Sequence, residues 1–171
     1  MSSPLTQTVQ AATGGGGTGF CAQYTAVGTQ ALAWGSLAQT ASVQGLDGPG
    51  FYGEGVYVGT LTVPSYAPKS TTGYVAAAEY TGAPTSRHMT LSTQQCDFRP
   101  VDPTGVKGPF AESKGAWPSL NFSASGKPGV LPVLTQGQKY YVNIRNWDFD
   151  LNRQSCASGQ FCDVLVSVKR P

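Results

Sequence analysis

Two alternating segments in the last third of the chain restrict its fold more than any other feature. In the first, Tyr140, Val142 and Ile144 alternate with more polar residues, and a Leu-x-x-Gly-x-x-Tyr spacing leads into them from Leu134. The second, residues 161–168, reads Phe-Cys-Asp-Val-Leu-Val-Ser-Val. Apolar side chains at every second position are typical of a strand with one buried face. The segments predict two core strands, the first entered by a turn that carries the chain from one sheet to the other.

Composition and turn signals extend this prediction to the rest of the chain. The 171 residues include 22 Gly and 12 Pro, and only 12% are charged, about half of the usual share. Such a composition favours many short strands over long helices. Further strands are expected at 29–34, 37–43, 55–63, 71–80, 86–93 and 117–124, with an irregular region from Cys96 to Trp117. We therefore predict an all-β fold, a two-layer antiparallel β-sandwich.

The N-terminal segment has a different composition from the rest. Residues 1–19 are rich in Ser, Thr and Gln and contain the tract Gly14 to Gly17. We expect an extended Gly-rich arm over 1–19 and a single sandwich domain over 20–171, since no repeat and no second composition marks another domain.

The spacing of Leu134, Gly137 and Tyr140, followed by Val142 and Ile144, resembles the corner before strand F of fibronectin type III and immunoglobulin-like domains. The resemblance implies an immunoglobulin-like sandwich, with a jelly-roll-like one as the related alternative. It also implies a tyrosine corner, in which the Tyr140 hydroxyl bonds to backbone upstream. Val142 stands where antibody-type domains have their second core cysteine. More loosely, the chain is similar to uncharacterised sandwich domains of secreted and phage-encoded bacterial proteins, a similarity that implies no catalytic residue.

Four cysteines, an even number, point to disulfide bonds. Five residues separate Cys156 from Cys162, which favours a local disulfide, with Cys21 to Cys96 as a longer one. Three pairings are possible, and buried free thiols are the alternative. A zinc site would require closely spaced cysteine pairs, which are absent, and a partner for the lone His88.

The histidine is a poor candidate for nucleophilic catalysis. Met89 and Leu91 are expected to face the core, which would place His88 on the outer, solvent-facing side with Thr90 and Ser92. No Gly-x-Ser-x-Gly elbow is present, so a catalytic triad is not expected.

Carboxylate chemistry has no motif to support it. The glutamates Glu54, Glu79 and Glu112 could supply an acid and a base only if the fold brought two of them together. We expect no enzymatic activity.

Residues on the other face of the strand that contains Tyr140 are candidates for binding. Tyr141, Asn143, Arg145 and Trp147 share this face and combine aromatic, amide and guanidinium groups that suit a protein interface or, as an alternative, a sugar platform. A second buried face is the structural alternative.

A calcium ion is the cofactor for which the sequence offers a candidate site. Asp148, Asp150 and Asn152 place oxygen ligands at every second position. The Gly and the distal Glu of an EF-hand are absent, so the alternative is a solvated loop with Phe149 and Leu151 turned inward.

Charge and hydropathy exclude several function classes. The net charge of +2 forms no basic stripe for nucleic acid, and no apolar run is long enough for a membrane span. The N-terminus lacks the pattern of a secretory signal, so either a signal was removed or the protein reaches the outside by another route, such as a virus particle. We expect a non-enzymatic structural or interaction protein that is extracellular or on a virion surface. In its leading form it is a phage decoration, capsid-stabilising or tail-associated protein, bound to copies of itself or to a shell protein. The alternative is a secreted adhesin-like or carbohydrate-binding module with a glycan ligand.

Overall fold

The structure, a computed structural model, describes residues 19–24, 27–32, 39–42, 55–63, 72–78, 86–116, 118–123, 132–156 and 165–169. The predicted arm, apart from Gly19, lies outside these ranges, as do Glu54, Glu79 and Cys162. The described elements are a 3₁₀ helix, η1 (Gly19–Gln23), and the strands β1 (Val27–Leu32), β2 (Gln39–Ser42), β3 (Val56–Thr62), β4 (Thr72–Ala78), β5 (Arg87–Ser92), β6 (Ala111–Gly115), β7 (Ser119–Ser123), β8 (Lys139–Asn146) and β9 (Leu165–Lys169).

The described strands form two sheets, which confirms the all-β prediction. Five strands are ordered β1-β3-β8-β5-β6, and four are ordered β2-β9-β4-β7. The expectation of purely antiparallel pairing is wrong, because β1 runs parallel to β3 from the pair Val27–Val56 to the pair Leu32–Leu61. Parallel neighbours need a long crossover, and residues 33–55 supply it, since they include β2 of the other sheet.

One face of the five-stranded sheet contributes to a hydrophobic cluster shared with the four-stranded sheet. Alternate residues of β3, β5 and β8 enter this cluster together with Leu120 and Phe122 of β7. The first sheet supplies Tyr57, Leu61, Met89, Leu91, Tyr140, Val142 and Ile144. Burial of these side chains from water is the main stabilising term for the packing of the strands.

The opposite face of the five-stranded sheet, called the outer face below, is also covered. A second cluster joins Val56 and Val58 of β3 to Cys21 of η1 and to Cys96. We call η1, Tyr24 and residues 93–99 together the cap. The cap and Phe149 cover the outer face of β5, and Met89 and Leu91 lie in the first cluster. All six residues of β5 are therefore buried, and the prediction that β5 exposes alternate side chains is wrong.

Strand β6 lies within the region predicted to be irregular. It pairs with β5 from Leu91–Ala111 to Arg87–Gly115. Its sequence, Ala-Glu-Ser-Lys-Gly, contains no β-branched or aromatic residue, so its strand conformation comes from pairing with β5 and not from intrinsic propensity.

Candidate functional site on the outer face

Strand register brings polar side chains from three strands together on the outer face. His88 of β5 lies opposite Arg145 of β8 on one side and Lys114 of β6 on the other. In the neighbouring row, Thr90 lies opposite Asn143 and Glu112. Residues directly opposite each other in a sheet interact, so the two rows form one polar cluster.

His88 is at the centre of this cluster and is not a surface residue, contrary to the sequence prediction. Its side chain is 2% exposed because the rings of Phe98 and Phe149 lie against it, with centroid distances of 5.2 and 4.8 Å. The Nε2 atom is 2.9 Å from Glu112 Oε2, and Nδ1 is 3.3 Å from an Arg145 nitrogen. Both ring nitrogens are therefore occupied.

The partners of His88 determine its tautomer and lower its pKa. A guanidinium can only donate, so Nδ1 accepts from Arg145 and Nε2–H donates to the Glu112 carboxylate. Burial lowers the pKa of His88 from 6.5 to about 4, and the charges of Arg145 and Lys114 act in the same direction, against Glu112. Near neutral pH the imidazole is uncharged.

Glu112 is bound from two sides. Besides His88, its carboxylate meets Lys114 Nζ at 2.9 Å. Burial alone would raise the pKa of Glu112, but the hydrogen bonds from Lys114 and His88 outweigh it, so the pKa lies below its usual value. Glu112 is therefore an anion and not a candidate general acid near neutral pH.

Arg145 lies between aromatic rings. Its guanidinium carbon is 4.5 Å from the Phe98 ring centroid and 4.6 Å from that of Trp147. One terminal nitrogen is 3.4 Å from the Tyr24 hydroxyl, and the other contacts His88. Both polar partners are neutral, and the cation–π contacts with the two rings add to the stabilisation of the charge.

Asn143 attaches the cap to β8. Its Oδ1 accepts a hydrogen bond from the backbone N of Cys96 at 2.8 Å, and its Nδ2 donates to Thr90 Oγ1 and to the Gln94 carbonyl, each at 3.2 Å. Cys96 has a φ of 56°, which is unusual for a residue other than glycine. The fully buried Asn143 amide stabilises this turn.

Asp97 makes a second attachment between cap and sheet. Its carboxylate accepts a hydrogen bond from Ser92 Oγ at 2.7 Å and a bidentate pair from Arg99 at 2.8 and 2.9 Å. Burial would raise the pKa of Asp97, but these hydrogen bonds lower it below its usual value. The Arg99 guanidinium in turn lies 4.3 Å from the Phe20 ring centroid, so a continuous set of contacts joins β5 to η1.

A disulfide completes the cap. Cys21 of η1 is bonded to Cys96, with Cα atoms 5.1 Å apart, which confirms the longer of the two predicted disulfides. Cys156 is buried and disulfide-bonded. Its predicted partner, Cys162, lies outside the described residues, and none of the described cysteines is free.

The residues predicted to form a binding face do share the outer face, but they differ in exposure. Asn143 is fully buried and engaged within the chain, so its inclusion in an accessible interface is wrong. Tyr141, Arg145 and Trp147 are half-buried, and Tyr141 packs against the cap. Arg145 contacts Tyr24 and Phe98 of the cap, and the Trp147 ring lies against the Arg145 guanidinium.

The Tyr140 side chain points to the other face of β8. Its hydroxyl accepts a hydrogen bond from the backbone N of Thr135 at 2.8 Å, which is the backbone contact expected of a tyrosine corner. Phe110 packs edge-on against the Tyr140 ring at 5.5 Å. This tyrosine is part of the packing and not of the polar cluster.

The calcium candidates form a tight turn. Asp148 pairs with Arg153 in an isolated bridge, and Asp148 Oδ1 accepts hydrogen bonds from the backbone N of Asp150 and Leu151 at 2.9 and 3.1 Å. In the alternative to a calcium loop, Phe149 and Leu151 turn inward; the Phe149 ring does lie against His88, but Leu151 is 57% exposed, so this part of the alternative is wrong. Within the described ranges, no group of three or more His, Cys, Asp or Glu side chains is placed to hold a metal ion.

Sequence reasoning missed the contacts among His88, Glu112 and Lys114 because it missed β6. The alternation of Glu112 and Lys114 with small residues is a possible signal for a strand with a charged face, but the partner strand could not be read from it. Among the described residues, no helix is long and apolar enough to cross a membrane.

Comparison with known proteins gives only distant structural similarity. No protein-family model and no curated protein sequence matches the chain. One similar solved structure is PliG of Aeromonas hydrophila, a periplasmic lysozyme inhibitor of g-type lysozyme, with a TM-score of 0.43 and 10% identity over 85% of this chain and 98% of that one. Another is tripeptidyl peptidase 2 (TPP II), with a TM-score of 0.41 and 9% identity over 83% of this chain and 10% of that one. Similarity at this level transfers no function to the chain.

Proposed function

We propose that this protein is a non-enzymatic structural or interaction protein that works outside the cytoplasm as part of an assembly. In its specific form, the proposal is a decoration, capsid-stabilising or tail-associated protein of a phage virion. Its partners are copies of itself or a shell protein. We also propose that its two sheets pack as a two-layer β-sandwich, which the cluster shared by β7 with β3, β5 and β8 supports.

The main support for a non-enzymatic role is that both ring nitrogens of His88 are used in contacts within the chain. Nucleophilic catalysis needs a base with a free nitrogen directed at a nucleophile. In this chain the only histidine is 2% exposed, and its two nitrogens bond to Glu112 and Arg145. Asn143 and Asp97 are likewise used to attach the cap. The polar groups of the outer face therefore support a rigid structure and not a reaction centre.

Location outside the cytoplasm is supported by the cysteines. The Cys21–Cys96 disulfide and the bonded state of Cys156 are typical of proteins that fold in an oxidising compartment. The role in an assembly is supported by the Gly-rich sequence of residues 1–19, the low fraction of charged residues, and exposed apolar side chains on the turn after β8, Phe149 and Leu151.

Light scattering on the purified full chain and on a variant that lacks residues 1–19 tests this proposal. We expect a discrete oligomer, or a chain that adds to purified phage particles, and we expect the truncated variant to do neither while its circular dichroism spectrum keeps the β signature. A chain that stays monomeric, adds to no particle and shows glycan-dependent quenching of tryptophan fluorescence would contradict the proposal and favour the carbohydrate-binding alternative.

A further inference from the structure

The turn after β8 covers one side of the His88 ring. Residues 148–153, called the lid below, carry Phe149, whose ring lies edge-on to the His88 ring at a centroid distance of 4.8 Å. The Lys114 Nζ atom lies 4.2 Å from the centroid of the same Phe149 ring. Phe149 therefore connects the lid to the polar cluster and contributes to the burial of His88, which is 2% exposed.

The lid is attached less firmly than the cap, which covers another side of His88. At the base of the lid, the backbone N of Trp147 donates to the Ser86 carbonyl at 3.0 Å, and the Ser155 hydroxyl donates to the same carbonyl. The backbone N of Ser155 donates to the Asn146 carbonyl at 3.5 Å, which is longer than an ordinary hydrogen bond. The cap, by contrast, is held by a disulfide and by buried side-chain hydrogen bonds.

Buried polar atoms without partners flank the lid on both sides. Before it, Arg145 Nε and both side-chain polar atoms of Asn146 have no hydrogen-bond partner among the described residues, and after it the same is true of Gln154 Nε2. A buried polar atom that has given up its hydrogen bonds to water costs free energy. A segment held by few bonds also opens more readily than a core strand. Of the two covers of His88, the lid is therefore the one expected to move first.

Protonation of His88 and opening of the lid are linked through the contacts of the imidazole. Arg145 donates to Nδ1 and Glu112 accepts from Nε2–H, while Lys114 binds the same Glu112 carboxylate. A proton on Nδ1 removes the acceptor of Arg145 and places a third positive charge beside those of Arg145 and Lys114. A buried charge is costly unless it is solvated or paired, and water reaches the ring most readily where the weaker cover moves.

We propose that the lid is a pH-sensitive device: uptake of a proton by His88 opens it, admits water to the polar cluster and frees the Phe149 ring. Every contact that the device uses lies within one chain, so it does not depend on the assembly proposed above. The pKa of His88, lowered from 6.5 to about 4 with burial as the largest cause, agrees with this linkage.

Charged and titratable groups occur on each element packed against His88. They are Arg145 on β8, Glu112 and Lys114 on β6, Tyr24, Asp97 and Arg99 in the cap, and Asp148, Asp150 and Arg153 in the lid. Burial raises the pKa values of Glu112 and Asp97, but hydrogen bonds outweigh it and hold both below their usual values, so both remain anions at pH 5. Glu54, two residues before β3, lies outside the described residues. A measurement that follows the imidazole itself separates the effect of His88 from that of any carboxylate.

The first test asks whether the lid weakens proton binding at His88. This is the single histidine of the chain, so its imidazole resonances can be followed by NMR in the full chain as the pH falls. Linkage is reciprocal, so a lid that a proton opens must itself oppose protonation. Phe149→Ala removes the covering ring and should raise the proton affinity of His88 at least about tenfold, which moves its pKa from about 4 towards 6.5. Leu151→Ala is the matched control on the same turn, where Leu151 is 57% exposed, and should titrate like the wild type.

The second test needs no substitution and shows whether the lid moves. Nuclear Overhauser contacts between the rings of Phe149 and His88 should be present at pH 7.5 and should disappear along the titration curve of the imidazole. Contacts between Phe98 and His88, whose centroids are 5.2 Å apart, should persist because the cap stays in place.

Three outcomes would overturn the device. The first is a Phe149→Ala chain in which His88 titrates at the wild-type pH. The second is a Phe149–His88 contact that survives protonation of the imidazole, or that is lost together with the Phe98 contact. The third is a loss whose midpoint differs from that of the imidazole, because it would assign the trigger to a carboxylate such as Asp148, Asp150 or Glu54.

Discussion

A single buried histidine makes the stability of this protein sensitive to mild acid. In the folded chain Nδ1 of His88 accepts from Arg145, so a proton on Nδ1 must displace a cation. Burial, assisted by Arg145 and Lys114, lowers the pKa of His88 from 6.5 to about 4. At pH values between about 4 and 6.5, His88 is mostly protonated in the unfolded chain and mostly unprotonated in the folded chain. The stability present above pH 6.5 is therefore lost progressively as the pH falls towards 4.

We expect the free energy of unfolding to decrease by about 2 kcal/mol between pH 7.5 and pH 5 from this group alone. Urea unfolding at the two pH values measures the effect. His88→Gln keeps an N–H donor for Glu112 but cannot titrate, so its free energy of unfolding should change little over the same interval. A wild-type chain that is equally stable at both pH values would show that the pKa of His88 is the same in the folded and the unfolded chain.

Asn143 is expected to contribute more to stability than its single amide group suggests. Asn143→Asp replaces the donor to Thr90 and Gln94 with an acceptor and buries a charge, so we expect a loss of about 3 kcal/mol. Asn121→Asp is the matched control, because Asn121 lies on β7 and is exposed, and its effect should stay within about 0.5 kcal/mol. Equal effects of the two substitutions in thermal unfolding would contradict the role assigned to Asn143.

At the scale of elements, the cap and β6 show what the sequence could and could not predict. The alternation of β3 and β8 is visible in the chain because one face of each strand is uniformly apolar. The cap is not visible, because its polar attachments, Asn143 and Asp97, are residues that usually face solvent. The sequence did not predict β6 because its strand conformation depends on pairing with β5. Its charged residues Glu112 and Lys114 find their partners only in the folded polar cluster.

The cap should depend on its disulfide. Cys21 and Cys96 are separated by 75 residues, and removal of a crosslink that closes a loop of this length is expected to cost about 4 kcal/mol through the unfolded state. In the double variant Cys21→Ser/Cys96→Ser, guanidinium unfolding should show this loss. The ¹H–¹⁵N spectrum should change in η1 while the β3 and β8 amides keep their positions. A cap that remains docked at unchanged stability would indicate that Asn143 and Asp97 suffice to hold it.

At the scale of the whole molecule, protection from solvent should follow strand order. Strand β8 lies between β3 and β5, whereas among the described strands β6 has a neighbour only in β5. Amides of β8 should exchange only on global unfolding, and we expect amides of β6 to exchange at least about tenfold faster. Hydrogen exchange followed by NMR measures both. Equal rates in the two strands would indicate that another part of the chain or another subunit covers β6.

Strand order also determines how much of the chain must be synthesised before the two sheets can form. The strands last in the described chain, β8 and β9, lie in the interior of their sheets, where β8 separates β3 from β5 and β9 separates β2 from β4. A nascent chain that ends before residue 139 can therefore assemble only the fragments β1–β3, β5–β6 and β4–β7. Non-local pairings of this kind form slowly. Residues 139–169 must therefore emerge from the ribosome before either sheet can close, and until then the strands made earlier lack the neighbours that join them.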